Sequence, residues 1–145
     1  MKLLMVCSGN ICRSPIAEAI APMLGDRMGL DVRAKSAGTL GLVDRPADAK
    51  SVAVCREIGL DLRGHRSQPI TEELVAWADR ILVMELNHAG HVREFFPDGA
   101  DKVLQLGPFA GLAEIPDPIG GWTFQFRRCR EQIQRGLEEF LKRAG

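Results

Sequence analysis

MVCSGNICRSP, residues 5–15, decides the fold. The apolar run Leu3 to Val6 stops at Cys7 and gives way to small polar residues, then Arg13, Ser14 and Pro15. A short, continuously apolar run bounded in this way fits a strand covered on both faces of a parallel sheet. Ser14 followed by Pro15 reads as an N-cap with proline at the first helical position. Ile16, Ala19, Ile20, Met23 and Leu24 then recur at helical spacing. The stretch is therefore strand, loop and helix, and Pro22 is expected to kink or shorten that helix because it lacks the amide donor.

Downstream, the pattern alternates between strands and helices. DVRAKSAG (31–38) alternates as a strand does, and Ala47 to Ile58 reads as a helix closed by Gly59. Thr71 caps the run Glu72 to Trp77, RILVM (80–84) is a buried strand, Asn87 to Phe96 a helix, and KVLQL (102–106) a fourth strand. Trp122, Phe126, Cys129, Ile133, Leu137 and Phe140 mark one apolar stripe of a long final helix. This order predicts an α/β fold, a doubly wound four-stranded parallel sheet with helices on both faces. Ligands of such sheets collect at the carboxyl ends of the strands, beside the topological switch point, which is where Cys7 falls.

A chain of 145 residues with 46% hydrophobic content is expected to form one domain over 1–145. Nineteen basic residues balance nineteen acidic ones, so no global field draws the protein to nucleic acid or to an anionic membrane. The opening apolar run is too short for a signal peptide or a span, so the expected location is the cytoplasm. Cysteines 7, 12, 55 and 129 read as individual thiols of a reducing compartment. No nucleotide-binding fingerprint is present, and no cofactor is implied. His88 and His91 stand three apart without a companion ligand motif, so no metal is expected. The apolar residues are accounted for by one core, which makes a monomer the expectation.

The chemistry concentrates in the loop. Cys7 and Arg13 link a strand end to a helix start, so successive N–H groups converge on one point and the helix adds its positive end. The same spacing at Cys129 and Arg135 lies inside a helix, whose amides are already bonded, and cannot cradle an anion. An oxyanion-sized nest favours the thiolate of Cys7 over its thiol. Arg13 offers a planar fork for two phosphoryl oxygens. Gly9 tolerates unusual backbone angles, and Asn10 accepts a left-handed conformation while bracing the loop. A thiolate attacking a phosphate ester also needs an acid for the departing oxygen. Asp117 in EIPDPIGG is the candidate, on a loop stiffened by Pro116 and Pro118 with Gly120 and Gly121 permitting close approach. The residues alone leave it equally readable as a turn aspartate.

VCSGNICRSP resembles the V-C-x-G-N-x-C-R-S-P signature of the low-molecular-weight protein tyrosine phosphatases. SAGT (36–39), PAD (46–48), the His65 region, ADRILVME (78–85) and DPIGG (117–121) follow in that family's order, so the resemblance covers the whole chain. It implies a flavodoxin-like fold and hydrolysis of phosphotyrosine on proteins through a phosphocysteine on Cys7. It also implies Arg13 and Asp117 as catalytic partners, and phosphate held by Ser8, Gly9, Asn10, Ile11, Cys12, Arg13 and Ser14. Asn10, Ser14, Ser36 and His65 match residues that orient the loop, Ser14 also stabilising the leaving thiolate. Cys12 matches a thiol that traps oxidised Cys7 as a disulfide. The implied partner is a phosphorylated protein, a bacterial tyrosine kinase among the candidates.

Substrate choice turns on the walls. Leu42 and Ile119 stand at wall positions where eukaryotic members of the resembled family carry aromatic residues, Ile11 in the loop adds hydrophobic wall, and the chain has no tyrosine. An apolar slot still suits an aryl ring. The DPxGG form also resembles bacterial protein arginine phosphatases, which typically carry threonine at the position of Ile11, a hydroxyl that isoleucine lacks. A thioredoxin-coupled arsenate reductase would need a downstream cysteine pair, and Cys55 and Cys129 stand singly. A non-catalytic phosphoprotein-binding module is the remaining alternative, disfavoured by Cys7, Arg13 and Asp117 together.

Overall fold

The computed structural model describes residues 1–144. Four strands, β1 (Lys2–Cys7), β2 (Arg33–Gly38), β3 (Arg80–Val83) and β4 (Val103–Gln105), form one parallel sheet in the order β2-β1-β3-β4. Five helices connect and flank them: α1 (Arg13–Met28), α2 (Ala49–Arg56), α3 (Glu72–Trp77), α4 (Leu86–Phe95) and α5 (Thr123–Ala144). Every strand pairing is parallel, with Leu3 opposite both Ala34 and Arg80 and Cys7 opposite Gly38. This is the expected doubly wound arrangement, and the strand order reverses at β1.

Alternation along β1 divides the core. Leu3, Met5 and Cys7 pack on the face covered by α1, α2 and α5, whereas Leu4 and Val6 pack on the face covered by α3 and α4. Burial on both sides explains why β1 is continuously apolar. On α5, Phe126, Cys129, Ile133, Leu137 and Phe140 are all buried, as their spacing predicts. No helix among the described residues is long and apolar enough to cross a membrane.

Four local expectations are corrected. Helix α1 begins at Arg13 with Cys12 as its N-cap, two residues before the expected start, and no side chain caps it. The Ser14 hydroxyl is engaged by Cys7 and Asn10 and is not free for capping, while Pro15 stays within the first turn, where no intrahelical N–H bond is required. Pro22 does not end α1, which continues to Met28 because Ile16, Ala17, Ile20, Ala21 and Leu24 anchor it on both sides of the proline. The buried stripe therefore runs through Ala17 and Ala21, and Ala19 and Met23 are only half-buried. Trp122 is 73% exposed and stands before α5, its N–H held by Gln125 Oε1 (2.6 Å), so the stripe starts at Phe126. Two short 3-10 helices, Pro97–Lys102 and Gly107–Ala110, flank β4 and have no counterpart in the apolar periodicity.

Candidate active site

The loop between β1 and α1 folds around Asn10. That residue, not Gly9, takes the left-handed conformation, with φ +57°. An asparagine tolerates this backbone where its side chain bonds locally. Asn10 is fully buried and fully engaged. Its Nδ2 donates to Ser14 Oγ (2.7 Å) and Ser36 Oγ (2.9 Å), its Oδ1 accepts Gln68 N–H (2.9 Å), and its carbonyl meets His65 Nε2 at 2.6 Å. Ser36 in turn donates to Glu18 Oε1. The loop lies directly on the end of β2: a Cβ at Gly38 would come within 2.6 Å of Ser8 O and 3.0 Å of Asn10 N.

Cys7 is buried at the floor of this loop, with Sγ 3.0 Å from Ser14 Oγ. Asn10 fills one acceptor site of that hydroxyl, and to a Cys7 thiolate only Ser14 can be the donor. Cys12 is buried beside it. Burial, followed by the nearby charges of Asp48 and Asp117, pushes its thiol well above the ordinary range.

Arg13 is 1% exposed. Its Nη1 donates to Ile115 O (2.8 Å) and pairs with Glu85 Oε2 (2.7 Å), which turns the guanidinium and fixes it. The opposite edge, Nε and Nη2, faces differently. Nε has no hydrogen-bond partner, and Nη2 lies 3.5 Å from both Asp117 Oδ2 and Ser8 Oγ. That edge presents two parallel N–H groups, the side-on fork that matches two oxygens of one anion. A buried guanidinium N–H without an acceptor is costly and calls for a reason, which a phosphoryl oxygen supplies.

Asp117 is 36% exposed, and its Oδ1 accepts Ile119 N–H (3.1 Å) in a tight turn that Gly120 completes at φ +78°. Above Cys7 a cavity of about 180 Å³ gathers Ser8, Ile11, Cys12, Arg13, Asp117 and three apolar rim residues, Leu40, Leu42 and Ile119. All three sequence-predicted wall residues are thus brought together. A larger cavity of about 490 Å³, between α3 and the Pro97–Lys102 turn, contains no cysteine, histidine or arginine.

Sequence reasoning missed Glu85, His88, Glu18, Gln68 and Leu40. Glu85 could have been found, because it ends the strand region next to β1 at the switch point, where site residues collect. His88 was weighed only as a metal ligand. It is 1% exposed and bonds Ser8 Oγ (2.9 Å), and burial, with Arg13 next in weight, lowers its pKa to about 4.

The sheet and its anion-shaped loop define the class of protein, an α/β phosphatase. The family described as low molecular weight phosphotyrosine protein phosphatase matches residues 2–144, and the chain belongs to it. The low molecular weight protein-tyrosine-phosphatase Etp of Escherichia coli K12 is 38% identical over 141 residues, covering 97% of this chain and 93% of its own. A protein-arginine-phosphatase of Bacillus subtilis strain 168 is 33% identical over 144 residues, covering 98% and 95%. Among solved structures, a cysteine-to-serine variant of the YwlE arginine phosphatase with a phosphorylated active-site serine superposes with a TM-score of 0.93. It is 32% identical, over 99% of this chain and 95% of that one.

Proposed function

We propose that the protein hydrolyses phosphotyrosine side chains of phosphorylated proteins through a phosphocysteine on Cys7. The observation that carries this reading is the buried Arg13, which lines the same cavity as Cys7 and keeps its Nε–Nη2 edge open while Ile115 and Glu85 occupy Nη1. The loop N–H groups from Ser8 to Ser14 and that fork bind the phosphoryl oxygens. The Cys7 thiolate attacks phosphorus, the aryl oxygen leaves with the Asp117 proton, and phosphocysteine remains. Water then attacks, Asp117 takes its proton, and Cys7 departs as thiolate onto the Ser14 hydroxyl. Asn10, Ser36 and His65 hold the loop in place.

The apolar rim of Ile11, Leu40, Leu42 and Ile119 suits an aryl ring and gives a phosphoguanidinium no hydroxyl partner. The arginine phosphatase relatives make phosphoarginine the second reading. Turnover of matched phosphotyrosine and phosphoarginine peptides by wild type and Ile11→Thr tests the choice. Wild type is expected to favour phosphotyrosine, and the variant to gain on phosphoarginine. Wild-type preference for phosphoarginine would reverse the assignment.

A thiol relay of the arsenate reductase kind is disfavoured. Cys55 and Cys129 are buried, and burial is the main cause that pushes their pKa values up to about 11 and about 12. Cys12 lines the same cavity as Cys7 and is the candidate to trap it on oxidation, and a tyrosine kinase is the partner we infer.

A further inference from the structure

Ser8 lines the cavity above Cys7, and its hydroxyl also touches a histidine buried outside the loop. His88 Nε2 lies 2.9 Å from Ser8 Oγ, and His88 Nδ1 accepts the backbone N–H of Glu85 at 3.0 Å. An imidazole nitrogen that accepts an N–H holds a lone pair, so the neutral ring carries its proton on Nε2 and donates it to Ser8 Oγ. From the other side Arg13 Nη2, always a donor, approaches the same oxygen at 3.5 Å. Both polar neighbours of the hydroxyl are therefore donors, and neither can accept its proton. The direction left for the Ser8 O–H is the cavity it lines.

We propose that the Ser8 hydroxyl is a phosphoryl-oxygen donor of this site, with His88 as the positioning residue that sets its direction. The proposal rests on the phosphatase reading of the loop and adds a side-chain donor to its backbone N–H groups. A phosphoryl oxygen entering beside the Arg13 fork supplies the acceptor that the hydroxyl lacks within the protein. The hydrogen bonds then run in one direction, from His88 through Ser8 to the phosphate. Glu85 serves both arms of the site, since its side chain pairs with Arg13 while its N–H fixes the tautomer of His88.

The test is hydrolysis of p-nitrophenyl phosphate, with inorganic phosphate as competitive inhibitor. It uses wild type, Ser8→Ala, Ser8→Thr, His88→Gln and the Ser8→Ala/His88→Gln pair. Ser8→Ala is expected to raise KM and the phosphate inhibition constant by about 10- to 100-fold, the loss of one hydrogen bond to a charged group. Ser8→Thr should return both to near the wild-type values. His88→Gln should weaken phosphate inhibition where Ser8 is present and have no further effect in the Ser8→Ala background. A purely structural role of His88 would act equally in both backgrounds and would overturn its assignment. Ser8 is half-buried, so Ser8→Ala remains a fair test even where His88→Gln melts early. Unchanged phosphate inhibition in Ser8→Ala, with Cys7-dependent turnover intact, would overturn the proposal alone. Absence of Cys7-dependent turnover in wild type would overturn the phosphatase reading and the proposal with it.

Discussion

At the scale of single residues, the site is a division of labour imposed by hydrogen-bond inventory. Arg13 has five N–H donors; Nη1 is held by Ile115 and Glu85, which leaves the Nε–Nη2 edge for an anion. Lysine has a charge but no fork, so Arg13→Lys should lower kcat/KM by about 100-fold or more while leaving a soluble protein. Asp117→Asn should reduce kcat by about 10²–10⁴-fold on phosphotyrosine peptides, the usual worth of a general acid. The loss should be smaller on p-nitrophenyl phosphate, whose leaving group needs little protonation; equal losses on both substrates would contradict the acid role. Cys7, Arg13 and Asn10 were legible in the sequence because the strand-to-helix change brackets them and each residue type has one evident use there. Asp117 was legible only through the family likeness, since an Asp-Pro turn looks the same whether or not it faces a nucleophile. Glu85 and His88 were not legible, because what they do depends on which strand lies next to β1, and no local pattern encodes that neighbour.

At the scale of elements, one buried histidine and one exposed ion-pair cluster make stability depend on pH in separate windows. Helix α4 starts on a reciprocal cap in which Glu85 accepts the His88 N–H and His88 Nδ1 accepts the Glu85 N–H. Protonating Nδ1 would destroy the second half of that cap. The groups facing the ring are Ser8, Arg13, Glu85, His91, Glu114 and Asp117. Burial, then Arg13, outweigh the carboxylates and lower its pKa to about 4. The unfolded chain takes up this proton near the ordinary histidine value and the folded chain only near 4. Stability is therefore full above the unfolded value and falls as pH drops through the window between the two, by about 3 kcal/mol from this group. Urea melts of wild type between pH 7.5 and 4.5 should show that fall, and His88→Gln should flatten it. An equal fall in the variant would place the effect elsewhere. The α2–α5 junction behaves alike at lower pH. Hydrogen bonds from Arg127, then Arg130, hold the Glu57 carboxyl at about 2, so its contribution is present above the ordinary glutamate range and is lost as pH falls towards 2. Glu57→Gln should lower the melting temperature at pH 7 and converge with wild type in acid.

At the scale of the whole molecule, the sheet makes the site and the core makes the sheet. Leu3 and Met5 on one face, with Leu4 and Val6 on the other, fix β1 so that its next residue, Cys7, emerges at the strand end under the first turn of α1. Helix α5 closes one face with Phe126, Ile133 and Leu137, all fully buried. Phe126→Ala should cost about 3–5 kcal/mol in denaturant unfolding, as a buried aromatic truncation does, and a cost below about 1 kcal/mol would mean that the helix is not seated there. The doubly wound architecture was legible because strand and helix periodicities differ and alternate along the chain. The helix boundaries around the site were not. Ser14 carries the chemistry of an N-cap but is used by Cys7, and Pro22 breaks isolated helices but not one anchored on a sheet. Function and packing compete for the same side chains there, and local propensity sees only one of the claims.

The proposed hydrolysis requires Cys7 to carry the phosphoryl group between two chemical steps. Asp117→Ala mixed with p-nitrophenyl phosphate and quenched in acid isolates the intermediate, since the first step then needs little acid and the second has lost its base. Mass spectrometry of the peptide spanning residues 3–13 should find one phosphoryl group per chain on Cys7, absent in Cys7→Ala. Nitrophenol released with no phosphate on that peptide, or phosphate carried by another residue, would contradict that role of Cys7.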